Sequence, residues 1–132
     1  MKQIVVCGSI AFLSEMKKSA NVLRDFGFTV ILPKEDGWNS VKPEEISAYK
    51  RIVSKRHFDA IADPNTSAIL VVNPPKKGLD NYIGANTFAE IAIAFYFEKK
   101  IYLLHDFYEP YCDELQAWGC VPMQGDFDLI MQ

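Results

Sequence analysis

Residues 81–106 read NYIGANTFAEIAIAFYFEKKIYLLHD, and from 81 to 97 they carry one charge, Glu90. A lone carboxylate in an apolar segment invites two readings. In the first, Thr87-Phe88-Ala89-Glu90 is a capping box, T-x-x-E. Thr87 then accepts from the Glu90 amide and Glu90 reaches back to the Thr87 amide. Such a cap contributes about 1 kcal/mol and explains both residue types. In the second, the helix start faces a crevice. The helix dipole favours the ionised carboxylate, while apolar neighbours disfavour it. An ionised, poorly solvated carboxylate suits a nucleophile that attacks an acetal-like carbon. Glycosyl transfer uses carboxylates in this way, through an oxocarbenium-like transition state. Tyr82, Phe12 and Trp38 are candidates to stack on a ring; ordinary packing explains them equally.

Other chemistries find less support. The loop GSIAF, residues 8–12, lacks G-x-G-x-x-G and G-x-x-x-x-G-K-[ST], so dinucleotide and triphosphate sites are not indicated. Gly8 and Ser9 can still offer backbone N–H groups and a hydroxyl to a phosphate or sugar. His57 and His105 lie far apart, and neither has a ligand-spaced partner, so no metal site is expected. His57 reads as a helix residue satisfied by a neighbour. His105, at the end of a strand, reads as the better site candidate. No G-x-S-x-G elbow is present. No cysteine has a basic partner nearby in sequence. Cys7, within the apolar run IVVC, reads as a core residue.

The elements that must position these residues alternate. KQIVVC reads as a buried strand. A helix is expected over 12–26, with Met16, Ala20, Leu23 and Phe26 on one face, ended by Gly27. FTVILP is a second strand. Pro43, Glu44 and Glu45 start a helix that runs to about residue 62. SAILVV is a fully buried strand, followed by a long Pro-, Gly- and Asn-rich connection of the kind that often carries function. A helix over 87–97 and the strand KKIYLLHD follow, then a short helix near 112–118. The tail GDFDLIMQ adds a last short strand or packs as an extension. The pattern predicts an α/β fold: a flavodoxin-like three-layer sandwich around a five-stranded, mainly parallel sheet. Ligands in such sheets sit beyond the carboxyl ends of the strands. The loops there are 8–12, 33–41, 73–86 and 105–111.

The 132 residues fit one domain spanning 1–132. Hydrophobic residues make up 49% and charged residues 23%, with a net charge of -3. With no basic block, neither a nucleic-acid polymer nor an acidic membrane is an expected partner. No run of about 18 apolar residues suggests a membrane span, and no signal peptide is recognisable. Three cysteines without a CxxC pair fit reduced thiols and a cytoplasmic location.

The segments IVVCGS, AILVVN, YIGANTFAEIAIA and KKIYLL together resemble the nucleoside 2-deoxyribosyltransferase superfamily, which includes the 2'-deoxynucleoside 5'-phosphate N-hydrolases. The sharpest part is GANTFAE, residues 84–90, similar to the family's D-x-G-T-x-x-E. The resemblance implies that Glu90 attacks C1' of a 2-deoxyribosyl group and displaces the base. A second base or water then takes the sugar. It implies that Gly8 and Ser9 hold the sugar or its 5' group; Phe12, Asp80, Asn81, Tyr82, Gly84, Asn86 and Thr87 are further candidate substrate contacts. It implies a nucleoside or nucleotide partner, no cofactor and a homo-oligomer. ELQAWG is similar to a family segment lent by a neighbouring subunit, which places Glu114 and Gln116 at its site. Gly84 and Ser67 stand where the family usually has aspartates, with Asp63, Asp80 and Asn81 nearby in sequence. The first loop lacks the arginine that clamps a phosphate in the N-hydrolases. Those departures favour a nucleotide-binding module without catalysis; Glu90 and its motif favour the enzyme. An electron carrier is disfavoured, because no hydroxyl- and glycine-rich phosphate loop follows the first strand.

Overall fold

Ile4, Val5, Val6 and Cys7 are all buried, as expected of a strand covered on both faces. The computed structural model describes residues 2–33 and 40–131. Trp38 and most of the 33–41 loop lie outside the described residues. The order is β1 (Gln3–Cys7), α1 (Leu13–Asp25), β2 (Thr29–Ile31), α2 (Ile46–Ala62), β3 (Thr66–Val71), α3 (Ala85–Tyr96), β4 (Lys100–Leu103), α4 (Cys112–Ala117) and β5 (Val121–Pro122). The sheet order is β2-β1-β3-β4-β5, and every pairing is parallel. This is the expected flavodoxin-like arrangement.

Strand alternation sorts the core into two layers. Val5, Cys7, Ile69, Val71, Ile101 and Leu103 pack with Ile61 of α2, Ile91 of α3 and Leu115 of α4. Ile4, Val6, Leu70 and Tyr102 pack instead with Met16 and Leu23 of α1 and with Ile130. The sheet thus separates α1 from α2, α3 and α4. Cys7, at the end of β1, faces the α2–α3 side.

Most expected elements are present with shifted ends. Met16, Ala20 and Leu23 are buried on α1 as its spacing requires. Phe26 falls just past the helix, and Gly27 adopts φ +97, a conformation that favours glycine. A 3-10 turn at Pro43–Glu45 precedes α2. Strand β5 comes from Val121–Pro122, where the missing proline N–H is tolerated at a sheet edge. The tail packs as an extension, a 3-10 helix at Phe127–Met131 that buries Ile130. Gln124 and Gly125, with φ of 50 and 80, turn the chain away from the sheet before the tail can pair.

Ile69 is fully buried in β3 and paired with both β1 and β4. Ile69→Ala should cost about 2–5 kcal/mol, read as a lower urea midpoint with an unchanged m-value.

Candidate active site

A cavity of about 550 Å³ opens at the carboxyl end of the sheet. Gly8, Ser9 and Ile10 form one wall, and the end of β2 another. Lys50, Ser54, Arg56 and His57 come from α2, and residues 82–87 with Glu90 from the start of α3. The cavity therefore sits where doubly wound sheets hold their ligands.

Glu90 is only 3% exposed yet lines this cavity. It does not cap its helix. Helix α3 begins at Ala85 with Gly84 as its N-cap, and no side chain makes a cap hydrogen bond. The Phe88 amide donates to the Gly84 carbonyl. Thr87 is therefore the third helical residue, and Glu90 lies in the second turn. The capping-box reading fails because the N-cap is Gly84, three residues before Thr87. Asn86 is tied to α2, its Oδ1 accepting from Ser54 Oγ at 3.3 Å.

Around Glu90 the fold assembles a cluster that sequence spacing concealed. His57 of α2 is buried, and its Nε2 lies 3.5 Å from Glu90 Oε2. The same nitrogen is 3.7 Å from Cys7 Sγ. It also lies 3.2 Å from the Val6 carbonyl. A carbonyl only accepts, so that contact assigns the proton to Nε2. The cluster joins the end of β1, the middle of α2 and the second turn of α3. No sequence window spans these positions; the only hint was a histidine among the polar residues of α2.

The electrostatics favour uncharged groups. Burial pushes the Glu90 carboxyl up to about 8, and a hydrogen bond from the Cys7 thiol offsets part of that rise. Burial also holds His57 below its ordinary value, partly opposed by the Val6 carbonyl. Cys7 is pushed well up by burial and by Glu90. At 3.5 Å, His57 and Glu90 are close enough for an ion pair, but burial drives both toward neutrality. The contact is therefore a neutral one near pH 7.

The other expected residues divide. Gly8, Ser9, Tyr82, Gly84, Asn86 and Thr87 line the cavity with Glu90. Gly8 also has a packing role: a Cβ there would lie 3.0 Å from the Val72 carbonyl oxygen. Lys76 Nζ donates to Ser9 Oγ at 3.4 Å and sits 5.1 Å from the Tyr82 ring centre.

Phe12, Asp80, Asn81, Glu114 and Gln116 do not line the cavity of this chain. Phe12 is buried in the α1-side core, edge-on to Tyr82 at 6.4 Å. Asp80 is exposed. Asn81 pins a loop, its Nδ2 donating to the Phe107 carbonyl at 3.2 Å. Glu114 and Gln116 are exposed on α4. Ser67 is the second residue of β3, and its hydroxyl donates to the Gln3 carbonyl at the opposite end of the sheet. Asp63 ends α2 at that same end, where its carboxylate accepts from Asn65 N. Neither lines the cavity. His105 also does not line the cavity, whereas His57 does.

The fold is shared with a 2-deoxyribosyltransferase. That enzyme, from Bacillus psychrosaccharolyticus, superposes with a TM-score of 0.59 at 18% identity, over 91% of this chain and 98% of the other. A CMP N-glycosidase from Clostridium botulinum gives 0.52 at 16% identity, over 89% and 80%. No family model and no curated protein matches at the level of sequence. At such identities the likeness is one of fold.

The raised Glu90 value makes stability depend on pH. The folded state keeps a proton that the unfolded chain loses above about 4.5. This contribution is complete below pH 4.5 and is lost as pH rises to about 8, on the order of 5 kcal/mol in total. Glu90→Gln carries no such proton. Its melting temperature should gain on the wild type's between about pH 4.5 and about pH 8, checked by calorimetry.

Proposed function

We propose that this protein cleaves or exchanges the N-glycosidic bond of a 2'-deoxynucleoside or its 5'-monophosphate, with Glu90 as nucleophile. One observation carries the reading: a carboxylate almost wholly removed from water still faces a cavity of about 550 Å³ at the carboxyl end of the sheet. The shared fold of a 2-deoxyribosyltransferase and a CMP N-glycosidase supports it.

In this mechanism the ionised Glu90 oxygen bonds to C1' as the C1'–N bond breaks. The bonding pair leaves with the base, which takes up a proton. Water or a second base then attacks C1' and releases Glu90, so configuration is retained over two displacements. Burial serves this chemistry, since a poorly solvated carboxylate sheds little water before it attacks. The cavity suits a nucleotide in two further ways. Tyr82 lines it, and Lys50 and Arg56 give it a cationic wall.

The purified protein should release or exchange a base from one member of a panel of deoxynucleosides and their 5'-monophosphates, read by chromatography. Glu90→Gln should lower the rate by at least about 1,000-fold while staying folded. Because the nucleophile must be ionised, kcat/KM should rise with pH through about 8. A rate that falls over that range would assign Glu90 as an acid instead.

A nucleotide-binding module without catalysis is the second reading. It is favoured by one observation: among the described residues, Glu90 is the only carboxylate lining the cavity. Among the described residues, no second carboxylate lines the cavity to protonate a leaving base. Thermal stabilisation by a nucleotide without turnover would select this reading.

Self-association belongs to the same proposal. Phe95, Tyr96 and Phe97 are 46%, 77% and 45% exposed at the end of α3, an apolar patch of the kind that marks interfaces. Phe95 stacks on Trp118 at 5.3 Å, which joins the patch to α4 with Glu114 and Gln116. The protein should elute from a sizing column as an oligomer, and Tyr96→Glu with Phe97→Glu should shift it to a monomer. Elution of the wild type as a monomer would refute this.

A further inference from the structure

We propose that Cys7, His57 and Glu90 form a binding site for one thiophilic divalent cation of the zinc class, and that its occupation switches the nucleophile off. The second half rests on the glycosidic reading above; the first does not.

Three observations converge. One ligating atom from each residue lies within 4.8 Å of the other two. His57 Nε2 stands 3.7 Å from Cys7 Sγ and 3.5 Å from Glu90 Oε2. Ligands bound to tetrahedral zinc at about 2.0–2.3 Å sit roughly 3.3–3.7 Å from one another. The side chains come from three separate elements, so the fold holds the set together.

All three groups are buried, but His57 and Glu90 line the cavity while Cys7 lies behind them. A cation there has three protein ligands and an open position toward the cavity, the pattern of a zinc site accessible to water or ligand.

Charge supplies the third argument. Ionising Cys7 or Glu90 alone leaves a buried negative charge uncompensated. A thiolate, a carboxylate and a neutral imidazole around a 2+ ion sum to zero. The cation is therefore the partner that lets both acids ionise inside the protein. Thiol and imidazole ligands select zinc-like ions over magnesium or calcium, which prefer oxygen.

Binding balances as follows. Cys7 loses its thiol proton and Glu90 its carboxyl proton, both to solvent. The His57 proton moves from Nε2 to Nδ1, so Nε2 exchanges the Val6 carbonyl for the metal. About two protons leave per cation near neutral pH. Lys50 and Arg56, on the cavity wall from α2, oppose the cation and keep the site weaker than a closed four-ligand one. With its lone pair on the metal, Glu90 no longer attacks C1'.

The test uses full-length protein stripped with a chelator and desalted, titrated with Co²⁺ and followed by absorption. We expect one Co²⁺ per chain, a thiolate-to-cobalt charge-transfer band, its loss on adding Zn²⁺, and release of about two protons in weak buffer. Cys7→Ser should abolish the band; Cys112→Ser, which removes the half-buried surface thiol, should leave it intact. Circular dichroism checks each variant's fold. His57→Gln and Glu90→Gln keep Cys7, and each should weaken binding by more than the about 10–100-fold that a merely supporting residue costs. Absence of the band, a band that follows Cys112, or wild-type affinity in both glutamine variants would overturn the site. Base release should stop with one equivalent of Zn²⁺ and return with chelator. Turnover indifferent to Zn²⁺ overturns the switch and leaves the enzyme reading standing. Cobalt binding without turnover on any substrate leaves the site standing and removes the nucleophile reading together with its switch.

Discussion

Removing Glu90 from water is the constraint on which the rest of the site depends. An isolated carboxylate in an apolar interior is costly, and its first response is to hold its proton. Here the carboxyl titrates near 8. Its nearest polar neighbours, a thiol and an imidazole, are themselves buried and uncharged. The cluster is stable because nothing in it is ionised. Any event that strips a proton creates a charge that the interior barely solvates.

The scaffold is arranged to hold that cluster at an opening. Strand β1 ends with Cys7 against α2 and α3, and its Val6 carbonyl meets the His57 ring. Nearby loops are knotted by Asn73, which is fully buried. Its Nδ2 donates to the Asp106 carbonyl at 2.8 Å, and its Oδ1 accepts from the His105 amide at 3.1 Å. At the far end of the sheet, Lys99 Nζ donates to the carbonyls of Asp63 and Thr66 at 2.9 and 2.8 Å. That clamp joins the end of α2 to the start of β3, which fixes the helix carrying His57. Buried polar groups of this kind persist because each has its partners.

Much of this was legible locally. Apolar runs bounded by turn residues marked the strands, and their alternation with helices led to the parallel sheet. The long connection and the helix after it were recognisable as lying at the carboxyl ends of the strands, where the cavity opens, and Glu90 stood out as a charge in an apolar run. The misreadings share a cause. T-x-x-E is a cap only when Thr87 precedes the helix, and backbone geometry decided otherwise by beginning it at Ala85. The fifth strand depended on a tertiary edge beside β4, so two residues without a strand pattern, Val121 and Pro122, filled it. His105 seemed the better histidine because its strand end was visible, whereas the inward face of His57 was not. Ser67 and Asp63 are close to the motif segments in sequence, yet they lie at the wrong end of the sheet.

Sequence by itself determined the class of fold and singled out Glu90 as the lone charge in an apolar run, because hydrophobic periodicity and turn chemistry act over a few residues. Only the tertiary structure decided the company that carboxylate keeps. Cys7, His57 and Glu90 are separated by 50 and 33 positions, so no local signal links them. Their ionisation states follow from burial and mutual distance, and those quantities exist only once the sheet and its helices have packed.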